Sequence, residues 1–387
     1  MSNPHNGLSQ TMATLSNYIR RKNVEFIIVA GDNYYPRKVE ISQKTNNGAT
    51  KSKKFKIFSH NNLLSGFECL VSASANKPIH MIYGNHEIGD TFSYYLETTN
   101  HNMNSTNINK AVKQTNIECQ SIQEVRRVAS SYKNIKLFDD VYHIDTNGSR
   151  IIMIDSSVYE YANVEMQNEE SVDIVCFEHV FTKKRFSNIT ELLSYQNKKI
   201  LSLIDSTKHI VLVSHHPLIE SKNKEKKEKK KNKAKNNGNS ASKKKPKSPI
   251  QINPNESYLN VVNQILNKMT ADKNLTILCA DTHLYQHDTI LINGRQITQI
   301  IAGTGGAKLD EANPIGHNVE FDISGNHIAL TINNSIKQYG FLECNIKDTN
   351  PIECVFVPAV GGALLNNAAG IGGGGNKRFS RKRNCRK

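Results

Sequence analysis

The sequence predicts an α/β fold, because short apolar strands alternate with helical segments along most of its 387 residues. Four of these strands end abruptly in polar residues, which read GDNYY, GNHE, SHHP and ADTH. Loops that leave the carboxyl ends of parallel strands meet at one edge of a sheet, so we expect the four to lie together. A single ending of this kind is usually only a turn, whereas four in one chain indicate a site.

The predicted helices have apolar residues at spacings of three and four. The first is amphipathic, with Leu8, Met12, Leu15 and Ile19 on one face. In chain order, helices are predicted at residues 8–22, 60–74, 120–131, 188–206 and 255–270.

The predicted strands are short apolar runs that are bounded by polar residues or glycine. In chain order they are FIIVA, IHMIY, VYHID, RIIMIDSS, HIVLV, LTILC, QITQIIAG and alternating strands within residues 327–356. VYHID and RIIMIDSS are predicted to form a hairpin, because Asn147-Gly148 between them favours a tight turn. Residues 41–54 are polar and predict a loop.

The net charge of +15 is concentrated in two segments. Residues 221–250 contain 13 Lys and 2 Glu, and residues 376–387 contain seven Lys or Arg and no acid. The rest of the chain is close to neutral, which argues against a basic binding face on the folded body. The Lys-rich tract 221–250 is predicted to be a disordered insertion, because it has too few apolar residues to build a core.

Cysteine usage and hydropathy favour an intracellular protein. Seven Cys are present, an odd number, and no CxxC pair occurs, which favours reduced thiols over a disulfide framework. Residues 1–15 are polar and lack the apolar region of a signal peptide. No run of 18 apolar residues occurs, so neither a transmembrane helix nor a membrane partner is predicted. We therefore expect a cytoplasmic or nuclear location.

The four loops offer oxygen and nitrogen ligands together. Asp32 and Asp281 supply carboxylates, Tyr35 a phenol and Asn85 an amide oxygen. The imidazoles nearby are those of His86, His215, His216, His283 and His287. Such mixed ligands suit iron, manganese or zinc better than calcium. Two ions about 3.5–4 Å apart would hold both oxygens of an in-line displacement and activate water.

The ordered set GDNYY, GNHE, SHHP and ADTH resembles the calcineurin-like metallophosphoesterases. The tyrosine of GDNYY, with LCADTHLYQH and AGTGG, resembles the purple acid phosphatase branch. The resemblance covers residues 8–345 with interruptions. It implies a four-layer sandwich of two mixed β-sheets flanked by helices, with metals at the carboxyl ends of the strands. The domain would span residues 1–360, and a Gly-rich linker and basic tail would follow at 361–387.

Carried over by position, the resemblance assigns a metal-bridging carboxylate to Asp32 and the phenolate ligand of a ferric ion to Tyr35. Asn85 and His215 match ligands of the second metal, and His283 matches a ligand of the first.

Beside these ligands, His86 resembles the histidine that contacts the substrate phosphate and assists the leaving group. His216 would be a neighbour of the ligand set.

The sequence departs from the family pattern in two places. Asp281 stands where the family has a histidine of its GHxH motif, and a carboxylate there still binds hard or borderline cations. The family also opens with a strand and an aspartate motif, and neither has a counterpart before Asp32. The first strand is therefore predicted to be absent. Either the true start lies upstream, or the gene has decayed and left a weak or single-metal site.

The resemblance implies hydrolysis of a phosphate ester, most directly a phosphomonoester, by a hydroxide held on two metals. The implied cofactors are iron with zinc or manganese, or two manganese ions. The alternative is a catalytically impaired metal-binding protein that its basic segments tether to nucleic acid. Loss of turnover in His86→Ala with metal retained favours the enzyme. Salt-dependent nucleic-acid affinity that disappears when 221–250 and 376–387 are deleted favours the tether.

Overall fold

The computed structural model describes residues 4–33, 37–44, 50–57, 60–88, 119–146, 148–168, 174–182, 184–223, 250–305, 308–346 and 351–359. The helices are α1 (Pro4–Arg21), α2 (His60–Ser74), α3 (Asn85–Ile88), α4 (Gln120–Ala129), α5 (Ser157–Asn168), α6 (Val175–Val180), α7 (Ile189–Leu203) and α8 (Glu256–Lys268). The first strands are β1 (Ile27–Ala30), β2 (Arg37–Lys44), β3 (Thr50–Ile57), β4 (Ile79–Ile82), β5 (Ile135–Leu137), β6 (Tyr142–Asp145), β7 (Ser149–Met153), β8 (His209–Val213) and β9 (Ile219–Asn223). They are followed by β10 (Ile250–Pro254), β11 (Leu275–Cys279), β12 (Tyr285–Ile292), β13 (Arg295–Ala302), β14 (Asn318–Ile323), β15 (Asn326–Ile336), β16 (Gly340–Asn345) and β17 (Glu353–Pro358).

The larger sheet has eight strands in the order β14-β15-β12-β13-β11-β8-β7-β6. Its centre is parallel, since β7, β8, β11 and β13 run in one direction, and the flanking strands are antiparallel to their neighbours. Every residue of β8 is buried, as expected for a central strand that is covered on both faces. The predicted α/β class is confirmed, and so is the β6–β7 hairpin, although Asn147 lies outside the described residues.

The smaller sheet is parallel and has the order β1-β4-β5. All four residues of β1 are only half-buried, whereas β4 is mostly buried. Within the described residues β1 pairs only with β4, so it forms an edge of this sheet. Two mixed sheets were expected, whereas the larger sheet is mixed and the smaller one is wholly parallel. The absence of the first strand of the family stays a prediction.

One apolar core runs through both sheets and the helices that cover them. The predicted helices at 8–22, 60–74, 120–131, 188–206 and 255–270 are confirmed as α1, α2, α4, α7 and α8, with small shifts at their ends. Helices α5 and α8 meet through Tyr159 and Tyr258, whose fully buried rings stack with centroids 4.8 Å apart. This packing holds the strands rigidly below the loops at their carboxyl ends.

The predicted loop at 41–54 is wrong in part, because β2 and β3 form a continuous antiparallel ladder there. Val39 lies opposite Phe55, and Ile41 opposite Lys53. The apolar residues of β2 alternate with polar ones, but Lys and Asn-Gly in the surrounding sequence obscured this strand period.

The ends of the predicted disordered insertion 221–250 are ordered. Residues 221–223 belong to β9, and residue 250 begins β10, which pairs with β9 in an antiparallel ladder. Ser221 is buried and accepts a hydrogen bond from Gln286, which explains why the strand extends into the polar tract. Residues 224–249 and the tail at 361–387 lie outside the described residues, so disorder of the tract and nucleic-acid binding by the basic segments stay predictions.

The expectation of reduced cysteines is corrected by the structure. Disulfides join Cys119 to Cys176 and Cys344 to Cys354, and Cys69 is also disulfide-bonded. The first bond links residues that are 57 positions apart, which only the packing of α4 against α6 brings together. The second joins residues that lie directly opposite each other on β16 and β17. Cys279 is a buried free thiol.

Within the described ranges, no helix combines the length and the apolar composition that crossing a bilayer requires.

Candidate metal centre

The polar loops after β1, β4, β8 and β11 converge where the carboxyl ends of the two sheets meet. His215 Nε2 lies 3.3 Å from Asp32 Oδ1 and 3.5 Å from Asp281 Oδ1. Asn85 Nδ2 donates to Asp281 Oδ1 at 3.4 Å, and the backbone N–H of His86 donates to Asp32 Oδ1 at 3.3 Å. The structure therefore brings together residues from all four predicted loops.

The ring of His215 is held in one orientation. It is 1% exposed, and its Nδ1–H donates to the carbonyl of Ala30 at 2.8 Å. Nε2 consequently faces the carboxylates of Asp32 and Asp281, but neither contact meets hydrogen-bond geometry, so Nε2 is a buried atom without a hydrogen bond. Metal-binding histidines commonly donate one ring N–H to a backbone carbonyl and offer the other nitrogen to the ion. These residues therefore fit a metal ion.

The charges of the cluster support the same assignment. Burial lowers the pKa of His215, but Asp32 and Asp281 outweigh burial and raise that pKa to about 9. Burial raises the pKa of Asp281, yet the neighbouring His215 outweighs it and holds the pKa of Asp281 well below its usual range. In the metal-free protein a proton on His215 balances the carboxylates. A cation would take the place of that proton.

Two glycines permit this close approach. Gly31 has a φ of 90°, and a Cβ on it would overlap the ring of His215. A Cβ on Gly84 would overlap the carboxylate and the backbone nitrogen of Asp32. The glycine of GDNYY thus leaves room for the ring of His215, and the glycine of GNHE leaves room for the carboxylate of Asp32.

Two further residues of these motifs fasten the loops. Asn33 Nδ2 donates to the carbonyl of Ile82 at 2.7 Å, which ties the loop after β1 to the end of β4. Glu87 is buried, and its carboxylate accepts from the backbone N–H of Gly84 at 2.7 Å. Asn33 and Glu87 therefore hold the turn that presents Asn85 and His86.

The ADTH loop is bound to the SHHP loop through its backbone. Ala280 N and Asp281 N both donate to the carbonyl of His215 at 2.9 Å. On the other side Gly303 lies so close that a Cβ there would overlap the carbonyls of Ala280 and Thr282. Gly303 thus supports the ADTH loop by close packing.

His283 is half-buried at the end of the ADTH loop. Its ring Nδ1 lies 3.1 Å from the carbonyl of Lys308, and its backbone N–H donates to Asp310 at 3.0 Å. Among the described residues, the cluster with ligand atoms within 4.8 Å of one another contains His215, His216 and Asp281. His283 lies outside that cluster. Tyr35 lies outside the described residues.

The sequence analysis missed the contribution of the loop after β7. Ser156 is fully buried, and its hydroxyl accepts from the backbone N–H groups of His215 at 3.0 Å and His216 at 2.8 Å. The same hydroxyl lies 3.0 Å from His216 Nδ1. The missed signal was RIIMIDSS, a fifth strand that ends in polar residues beside the other four.

Asp155 and His216 are buried ionisable groups beside this hydroxyl. Burial raises the pKa of Asp155 to about 7, and its carboxylate accepts from the backbone N–H of Ser157 at 2.9 Å. Burial, followed by the charge of His215, lowers the pKa of His216 to about 3. His216 is therefore neutral at physiological pH.

Comparison with known proteins agrees with this geometry. Residues 2–241 match the family model described as calcineurin-like phosphoesterase. The chain belongs to the calcineurin-like phosphoesterase family. A search of curated proteins finds no match. The matched residues include Asp32, Asn85 and His215, while Asp281 lies beyond them and reaches the cluster through the fold. Calcineurin-like phosphoesterases are metal-dependent and hydrolyse phosphoester bonds, and the cluster of His215, His216 and Asp281 could hold such a metal ion.

Proposed function

We propose that this calcineurin-like phosphoesterase hydrolyses phosphomonoesters, in the manner of an acid phosphatase of the purple branch, with two metal ions. The observation that carries the proposal is His215 Nε2, a buried nitrogen without a hydrogen bond that lies between Asp32 and Asp281. A nitrogen between two carboxylates at the ends of parallel strands is a site for a cation, and the family uses such sites on phosphate esters.

In this proposal the ions would be held by Asp32, Tyr35, Asn85, His215, Asp281 and His283. His283 resembles His215 in one respect, since each places Nδ1 at a backbone carbonyl, as metal-binding histidines commonly do. The oxygen and nitrogen donors suit iron with zinc or manganese, or two manganese ions.

When bound, the ions would polarise the phosphate ester and activate water for in-line attack. The residues of the chain would hold the substrate in position and donate a proton to the leaving group. Asp32 accepts the backbone N–H of His86 and thereby fixes the start of α3, from which the His86 imidazole would donate a proton to the leaving oxygen. The fully buried Ser156 fastens the SHHP loop, because its hydroxyl accepts the backbone N–H groups of His215 and His216.

The direct test is hydrolysis of an aryl phosphate by the parent and by His86→Ala, with iron, zinc and manganese supplied in turn. We expect a loss of about 10²–10⁴-fold in turnover for the variant, because general acid catalysis typically supplies that factor. Bound metal per chain should be unchanged. His327→Ala is the matched control, since His327 is an exposed histidine that pairs with Asp322 on another part of the larger sheet. A metal-loaded parent that hydrolyses no phosphate ester would contradict the proposal.

Assignment to the purple branch rests on Tyr35 and has its own test. A phenolate bound to ferric ion absorbs in the visible range, so the iron-loaded parent should be coloured and Tyr35→Phe colourless with the same iron content. A colourless parent with full iron content excludes Tyr35 as a ligand.

A further inference from the structure

The adjacent histidines of the SHHP loop present opposite ring nitrogens to hydrogen bonds. His215 Nδ1 faces the carbonyl of Ala30, and a carbonyl only accepts, so this nitrogen carries the proton. His215 Nε2 can then offer its lone pair to a metal. His216 Nδ1 faces a hydroxyl instead, that of Ser156 at 3.0 Å.

The hydrogen bonds of Ser156 determine which nitrogen of His216 holds the proton. A hydroxyl has two acceptor lone pairs and one hydrogen. The backbone N–H groups of His215 and His216 occupy both acceptor positions, at 3.0 and 2.8 Å. The one remaining hydrogen of Ser156 must therefore point to His216 Nδ1, which accepts it.

A neutral imidazole that accepts at Nδ1 carries its proton on Nε2. Such a ring has no lone pair left for a metal, because one nitrogen is occupied by the hydroxyl and the other is protonated. His216 nevertheless belongs to the cluster, since one of its ring nitrogens lies within 4.8 Å of ligand atoms of His215 and Asp281. His216 therefore lies where a metal ligand could lie, but its hydrogen bonding makes Nε2 a hydrogen-bond donor.

We propose that His216 donates a hydrogen bond from Nε2–H to a phosphoryl oxygen of the bound phosphate ester, and that Ser156 is the positioning residue that enforces this orientation. The inference rests on the proposed function and adds a substrate contact to it. Among the described residues Nε2 of His216 has no hydrogen-bond partner, which leaves it available to a ligand. A phosphoryl group beside Asp32 and Asp281 needs such a donor to offset their negative charge.

A structural role in the core is the competing explanation, and two variants of His216 separate the two. His216→Gln places an amide near the position of Nε2, whereas His216→Asn places it near Nδ1 and leaves no donor at the far end. We expect His216→Asn to bind inorganic phosphate at least tenfold more weakly than the parent, with His216→Gln in between. Zinc and manganese content should equal that of the parent in both, whereas His215→Gln should lose metal.

The tautomer can be measured in the parent itself, without activity. Long-range proton–nitrogen NMR of the metal-free and zinc-loaded protein should show His216 protonated at Nε2 and not at Nδ1. Ser156→Ala should lose this preference and weaken phosphate binding, and Ser156→Thr, which keeps the hydroxyl, should restore both. A purely structural role of Ser156 would not move the tautomer signal.

The outcomes separate this inference from the proposed function. Metal loss in His216→Asn, or a His216 Nε2 without a proton in the zinc-loaded parent, overturns the donor role. Unchanged phosphate affinity in a metal-replete His216→Asn overturns it as well. If phosphate binding depends on His216 but the parent hydrolyses no aryl phosphate, the donor role is supported and the proposed function fails.

Discussion

At the scale of single residues, the candidate site depends on close packing around Asp32. Asp32 has a φ of 51°, which a non-glycine residue adopts only when its surroundings hold it there. Two hydrogen bonds hold this conformation. Asn33 donates to the backbone carbonyl at the end of β4, and the backbone N–H of His86 donates to the carboxylate of Asp32. Gly84 leaves the room into which the carboxylate fits. The metal affinity of the site should therefore depend on Gly84, although this residue has no side chain that could bind a metal.

Gly84→Ala tests this dependence. The added methyl group would overlap Asp32, so the loop after β1 must shift, at a cost of about 1–3 kcal/mol in the free energy of unfolding. We expect the affinity for zinc or manganese to fall by at least about tenfold, which corresponds to about 1.4 kcal/mol. Isothermal titration calorimetry and urea unfolding measure the two effects.

Gly66→Ala is the matched control for that variant. Gly66 lies inside α2, and nothing is within 4 Å of an added Cβ. This substitution should stabilise the protein by about 0.5–1 kcal/mol, because alanine loses less entropy in a helix than glycine. Metal affinity should stay unchanged. Equal metal affinity in Gly84→Ala and Gly66→Ala would contradict the close-packing explanation.

At the scale of elements, a buried polar network anchors the SHHP loop to strands β12 and β13. Asp288 accepts from Gln286 at 3.0 Å and from Gln299 at 2.9 Å. Gln299 in turn accepts from the backbone N–H groups of Leu218 at 2.8 Å and Ile219 at 3.2 Å. These bonds hold the chain that follows the SHHP loop, so a carboxyl inside the sheet contributes to the position of the candidate ligands.

The network makes stability depend on pH. Burial raises the pKa of Asp288 from its ordinary 3.8 to about 7. The hydrogen bonds from Gln286 and Gln299 lower this pKa, but they offset only part of the effect of burial. The folded chain then keeps a proton that the unfolded chain releases. The contribution of Asp288 to stability is therefore fully present below about pH 4 and is lost as the pH rises through about 7, at up to about 1.4 kcal/mol per pH unit.

Asp288→Asn removes this titration while keeping an oxygen for the two glutamine donors. We expect urea unfolding of the metal-free variant to show a smaller loss of stability between about pH 5 and pH 7.5 than the parent shows. Part of the slope should remain, because the pKa of Asp155 is also raised to about 7. Identical slopes in parent and variant would show that Asp288 is ionised in the folded protein.

At the scale of the whole molecule, the disulfides stabilise the fold by unequal amounts. The Cys119–Cys176 bond closes a loop of 57 residues in sequence separation, and Cys344–Cys354 closes one of 10. Cross-linking a longer loop removes more entropy from the unfolded chain. The chain-entropy relation gives about 4 kcal/mol for the first bond and about 3 kcal/mol for the second.

Replacing both cysteines of each pair by alanine should therefore lower the urea midpoint more for Cys119–Cys176 than for Cys344–Cys354. Cys279→Ala is the control, since its buried thiol is free and reports only the packing cost of the substitution. Dithiothreitol should destabilise the parent but not a variant that lacks all the disulfides. The reverse order of the two pairs would mean that strain or contacts outweigh loop entropy.

Local patterns predicted much of the architecture. The helices at 60–74 and 255–270 were predicted because apolar periodicity is a property of neighbouring residues. Strand β2 was missed because Lys and Asn-Gly obscured its alternation. The disulfides were missed because an odd cysteine count says nothing about which thiols the fold brings together.

The α/β class and the four polar strand ends could be predicted from the sequence, because strands, turns and ligand types are properties of neighbouring residues. Which atoms of those loops meet depends on how the strands are ordered in the two sheets. The tertiary structure brought Asp281 within 3.5 Å of His215 from 66 positions along the chain, and it buried Ser156 beneath two backbone N–H groups. A serine after a strand has no distinctive local signal, and its hydrogen bonds to His215 and His216 arise only because the loops after β7 and β8 lie side by side in the sheet.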